Sequence, residues 1–81
     1  MEFFVANASQ LGPVLQGWRK KKKLTQTELG ARVGLSQFAV SALENAPEKA
    51  AVERLFRLLS ALEVEVVLRE RQTAPLREEE W

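Results

Sequence analysis

The stretch Thr25–Asn45, TQTELGARVGLSQFAVSALEN, constrains this chain more than any other. Thr25-Gln26-Thr27-Glu28 has the form of a capping box. The threonine hydroxyl serves the N–H three residues on, and the glutamate reaches back to the threonine N–H. It predicts a helix starting at Gln26. Ser36 is a second N-cap and opens a helix from Gln37 to about Asn45, with Pro47 to end it. Between the two stands Gly34, which can take positive φ and turn the chain sharply.

The side chains agree with that geometry. Leu29, Val33, Leu35, Val40 and Leu43 are spaced to fill the gap between the two helices, and Gly30 is small where the second helix must come close. Two short helices joined by a glycine turn are the sequence form of a helix-turn-helix. A helix on either side completes a bundle. The first is capped by Ser9 and buries Leu11, Val14, Leu15 and Trp18, at i, i+3, i+4 and i+7. Pro13 is tolerated near its start, while Gly12 and Gly17 weaken it. It closes on Arg19-Lys20-Lys21-Lys22-Lys23, cations where the helix dipole favours them. The last helix repeats Val52, Leu55, Phe56, Leu59 and Leu62 at helical spacing.

Composition narrows the function. The 81 residues make one small domain and a tail, and a core of that size invites oligomerisation. Histidine, cysteine, aspartate and tyrosine are absent. General acid–base chemistry and metal sites depend on those residue types, so neither an enzyme nor a metal or other cofactor is expected. The N-terminal residues lack the basic start of a signal peptide. No apolar run approaches a membrane span. These features predict a cytoplasmic protein with no membrane partner. The net charge of +1 hides an asymmetry: residues 1–46 carry six Lys/Arg against three Glu, and residues 47–81 carry six against eight. A basic front and an acidic back predict two different partners.

Beyond the last helix, Glu63–Glu70 reads EVEVVLRE. Val64, Val66 and Leu68 alternate with Glu65, Val67 and Arg69, the pattern of a half-buried strand. A lone strand leaves its backbone groups unpaired. Its partner is either Phe3–Val5 or the same strand of a second subunit. The domain plan is then an N-terminal segment over 1–8, a helical domain with a dimerisation strand over 9–70, and a flexible tail over 71–81. The tail ends LREEEW. Trp81 is either an idle indole on a solubilising segment, one folded back on its own domain, or an anchor for a second protein. The anchor reading draws on the large area that tryptophan buries from few rotatable bonds, with the acidic flank steering it to a basic surface.

Residues 9–62 resemble the lambda-repressor-like, or XRE-type, DNA-binding domains, through LTQTELGARVGLSQFAVSALEN and the helix VERLFRLLSAL. With the strand and the final tryptophan added, the chain resembles the HipB-like antitoxins. The resemblance implies a mainly α fold: a helix-turn-helix bundle of four or five short helices, plus one C-terminal strand pairing across a homodimer through Val64, Val66 and Leu68. It implies a repressor of its own operon that binds double-stranded operator DNA and a HipA-like serine/threonine kinase toxin, the latter through Leu76 and Trp81. It implies DNA contacts by Thr25, Gln26, Ser36, Gln37, Phe38 and Ser41, with Lys22 and Lys23 near phosphate. Gln26 would bond a phosphate and brace the second helix. Gln37 would read a base edge, since glutamine pairs bidentately with adenine. Phe38 either meets thymine methyl groups or turns inward. The lysines either contact phosphate or simply end the first helix in solvent. Arg19 and Glu44 match a structural salt bridge. Ala42 departs from the pattern, since many relatives carry a longer polar side chain there. That departure implies a share for DNA shape in specificity. Two other functions fit the same residues: a stand-alone XRE-type regulator with no toxin, and an interaction module that has lost DNA binding.

Overall fold

A computed structural model describes residues 2–71 of the chain. Its four α-helices are α1 (Leu11–Lys21), α2 (Gln26–Val33), α3 (Gln37–Asn45) and α4 (Val52–Ala61), with single 3-10 turns at Ala8–Gln10 and Pro47–Lys49. The capping box forms as expected: the Thr25 hydroxyl accepts from the Glu28 N–H at 3.0 Å, and the Glu28 carboxylate accepts from the Thr25 N–H at 2.8 Å. Ser36 caps α3 by accepting from the Ala39 N–H at 3.1 Å. Gly34 takes φ +73°, and the Leu35 N–H closes the turn onto the Gly30 carbonyl at 2.8 Å. A Cβ on Gly30 would stand 2.3 Å from the Leu35 carbonyl oxygen, so nothing larger fits unless the turn moves.

The core is aliphatic throughout. Leu15 of α1, Leu29 of α2, Val40 and Leu43 of α3, and Leu55, Leu58 and Leu59 of α4 meet with Leu62. Each such side chain contributes about 1.5–3 kcal/mol on burial. Gly12 weakens α1 by propensity alone but is required by packing, since a Cβ there would lie 2.2 Å from the Glu44 carbonyl oxygen. The lysine-rich end of α1 and the end of α4 close in the same way as α2. Leu24 N–H bonds to the Arg19 carbonyl, and Val64 N–H to the Leu59 carbonyl. Here, however, the positive-φ residues are Lys23 (60°) and Glu63 (61°). A non-glycine residue in that region costs roughly 1–2 kcal/mol, so these two turns are imposed by packing.

Two expectations are corrected, and one of the two pairing alternatives for the C-terminal segment is closed. Ser9 is not the cap of α1: the Ala8–Gln10 turn precedes the helix, and the Ser9 hydroxyl donates to the Asn7 side chain at 2.7 Å. Within α4, Val52 (66% exposed) and Phe56 (53% exposed) lie outside the core, and Leu58 takes the buried place. The helix is rotated so that 55, 58, 59 and 62 form the inner stripe. Finally, residues 64–71 form no strand within the single chain. Val64 packs on the core, while Val66, Val67 and Leu68 are exposed. Phe3–Val5 does not pair with them either. The Arg69 guanidinium does lie 5.3 Å from the centre of the Phe4 ring, which brings the two segments together through side chains. A single chain holds no second row of backbone groups for this segment, and a ladder needs one. Leu76 and Trp81 lie outside the described residues.

Candidate nucleic-acid interface

The starts of α2 and α3 meet on one side of the bundle, and a chain of polar side chains links them. It begins with a buried ion pair: Arg19 Nε and Glu44 Oε2 are 2.6 Å apart, at 8% and 7% residue exposure. The second guanidinium contact reaches Glu44 Oε1 at 3.2 Å, and Arg19 also donates to the Leu24 carbonyl at 2.8 Å. The expected Arg19–Glu44 salt bridge is therefore present, bidentate and tied to backbone. From Glu44 the chain continues outward. Gln26 Nε2 donates to Glu44 Oε1 at 3.0 Å, and Gln37 Nε2 donates to Gln26 Oε1 at 2.6 Å.

This relay has a direction. A carboxylate only accepts, so Glu44 draws the Gln26 N–H inward and turns the Gln26 oxygen toward Gln37. That oxygen takes one Gln37 N–H. Gln37 is exposed, and its oxygen and second N–H have no hydrogen-bond partner among the described residues, which leaves the donor–acceptor pair that an adenine edge requires. The two helix N-termini add unpaired N–H groups and positive dipole ends at the same place, which favours phosphate.

The surrounding groove is lined by Lys20, Lys23, Thr25, Gln26, Thr27 and Gln37, among others. Lys20 and Thr27 join residues expected from sequence. Their signal was present but weak: Lys20 stands on α1, three residues before Lys23 in the turn that follows the helix. Lys22 goes elsewhere: its ammonium binds Glu63 at 2.5 Å, past the end of α4, and this holds the Glu63 carboxyl below the usual glutamate range. Phe38 faces outward at 80% exposure, so the inward alternative does not hold. Ser41 accepts from the Asn45 side chain at 3.1 Å one turn further along α3. Ala42 is exposed. The Glu28 carboxyl is also held below its usual range, first by the Thr25 backbone N–H and then by the Thr25 hydroxyl. Among the described residues there is no cluster of metal-binding side chains. Nor is any helix among them long and apolar enough to cross a membrane.

Comparison with known proteins agrees with this geometry. A family model described as helix-turn-helix matches residues 15–68. The chain is 33% identical over 64 residues to the antitoxin HipB of Escherichia coli O6:H1, covering 79% of this chain and 62% of that protein. It is 33% identical over 64 residues to the antitoxin HipB of Escherichia coli K12, covering 79% and 66%. The chain thus spans less than two thirds of the length of these relatives. Among solved structures it is similar to a HipB–O1–O2 complex, with TM-score 0.80, 26% identity, 85% of this chain and 100% of that one covered. It is also similar to a HipA–HipB–O2–O3 complex, with TM-score 0.81, 25% identity and 88% and 100% covered. The family is not an enzyme family. With its paired caps, its glycine turn and its two glutamines at the helix heads, the chain belongs to the XRE-type helix-turn-helix family and is HipB-like within it.

Proposed function

We propose that this chain is the antitoxin and autorepressor of a type II toxin–antitoxin operon. It binds operator DNA as a homodimer and a HipA-like serine/threonine kinase toxin through its tail. The observation that carries the DNA half is the Glu44–Gln26–Gln37 relay, which holds a base-reading amide at the head of α3. In this reading Thr25, Gln26, Ser36 and Lys23 contact phosphate, joined by Lys20. Gln37, Phe38 and Ser41 face the major groove, and Phe38 presents its ring to thymine methyl groups. Lys22 joins them only by leaving Glu63. The similarity to HipB complexes with O1 to O4 supports the operator as partner. The HipA–HipB complex supports the kinase.

One helix-turn-helix reads few base pairs, and two placed roughly 34 Å apart read a half-site each. The exposed row Val66, Val67 and Leu68 supports a second copy as the pairing partner of residues 63–70, with Val64, Val66 and Leu68 on the shared face. The domain plan follows: 1–8 as a leading segment, 9–70 as the DNA-binding and dimerisation unit, and 71–81 as the tail, with Leu76 and Trp81 as kinase contacts. Such a protein works in the cytoplasm.

The test is a pull-down of the product of the neighbouring gene by full-length protein and by Trp81→Ala, alongside titration of upstream DNA at increasing salt. Capture of a kinase by the full chain and much weaker capture by the variant is the expected result. Salt-dependent DNA binding without any captured kinase would leave a stand-alone regulator. Kinase capture without DNA binding would leave an interaction module.

A further inference from the structure

Beside α1 lies an apolar groove of about 280 Å³, lined by Phe3, Pro13, Val14, Gly17, Trp18 and Lys21. It shares no lining residue with the basic groove at the heads of α2 and α3. One wall is the edge-to-face pair of Phe3 and Trp18, with ring centres 5.1 Å apart and planes at 84°. The floor opens at Gly17, where a built Cβ meets nothing within 4 Å. Glycine inside a helix costs about 1 kcal/mol relative to alanine. Gly12 and Gly30 offset that cost through close backbone contacts, but Gly17 makes none. The space above it is open to an occupant.

Chain path and charge together select that occupant. Arg69 lies over Phe4, the neighbour in sequence of the groove residue Phe3, so the last described residues run beside the segment that contributes to the groove. Residues 72–81 follow, a length that reaches up to about 35 Å. A tether that short holds its end at an effective concentration in the millimolar range. Three glutamates, Glu78, Glu79 and Glu80, precede Trp81, while Lys21 rims the groove and Lys20, Lys22 and Lys23 surround it in sequence at the end of α1. We propose that this groove receives the indole of Trp81 from the same chain, with Glu78–Glu80 along the basic end of α1. A partner that takes Trp81 then competes with the chain's own domain. That last consequence alone rests on the kinase reading above.

The test uses the isotopically labelled full chain, with neither DNA nor toxin, so its outcome is independent of the proposed function. Nuclear Overhauser contacts between the Trp81 ring and the Val14 methyl groups are expected. They are expected to disappear in Gly17→Leu, whose side chain fills the groove, while the Leu29 and Val40 methyl shifts of the core stay in place. Absence of those contacts in the wild-type chain overturns the proposal. So do contacts seen only between differently labelled chains in a mixed sample, because the groove then belongs to a second copy's tail.

Discussion

The heads of α2 and α3 and the segment beyond Leu62 both face solvent, yet one is complete within the chain and the other is not. At the helix heads every buried polar side-chain atom among the described residues has a partner. The relay from Arg19 to Gln37 ends on an exposed amide. Beyond Leu62 the backbone has no ladder and Leu68 stands 95% exposed. Polar groups can satisfy each other over a few ångströms, so a short stretch of one chain can build a finished polar surface. A strand cannot finish itself, because its hydrogen bonds point to a neighbour it does not contain. The first region is a finished polar surface within one chain, and the second is one that a second copy would complete in the proposed dimer.

The largest expected effect that would break this comparison is at Glu44. Replacing it by alanine leaves Arg19 buried without its counter-charge and unties Gln26, at a cost of about 3–5 kcal/mol. Urea unfolding reads this directly; a loss below about 1 kcal/mol would mean that the pair is ornamental. Next comes Gln37→Ala, with a loss of about 1–3 kcal/mol in operator affinity at fixed salt and discrimination relaxed at one position. Equal weakening on all sequences would instead make Gln37 a phosphate contact. Lys23→Gly separates stability from binding at a single residue. Relief of the left-handed backbone is expected to stabilise the fold by about 1 kcal/mol, while loss of the cation lowers DNA affinity and flattens its salt dependence.

Smaller still in the isolated domain is Leu68→Glu. Its side chain is exposed, so domain stability is expected to stay within about 0.5 kcal/mol. Sedimentation should nonetheless shift from dimer to monomer. A dimer that survives the change moves the interface away from residues 63–70. The smallest effect is in pH. The carboxyls of Glu28, Glu53 and Glu63 are held below the usual glutamate range by Thr25, Arg57 and Lys22, each first through a hydrogen bond. Groups with a lowered folded-state value add stability above the unfolded value and lose it as pH falls through the folded one. A mild fall in Tm on acidification below the glutamate range is therefore expected, with no change on the alkaline side. Glu28→Gln should flatten that slope, and an unchanged slope would remove the capping box from the account.

The helix-turn-helix was legible because each of its signals is local. Thr25, Glu28, Ser36 and Gly34 act on backbone groups within four residues, so their consequences do not depend on the rest of the fold. The Arg19–Glu44 pair was legible only through family resemblance, since nothing in the spacing of residues 25 apart announces a contact. Sequence alone therefore determined the heads and turn of α2 and α3, most of the leucines around which the core forms, and the types of side chain available to meet DNA. Tertiary structure decided the rotation of α4 that buries Leu58 and exposes Phe56, the outward pose of Phe38, and the diversion of Lys22 to Glu63. It also decided the direction of the Glu44–Gln26–Gln37 relay. Those outcomes depend on which surfaces helices from distant parts of the chain present to one another, and that is settled only when the whole bundle closes on its core.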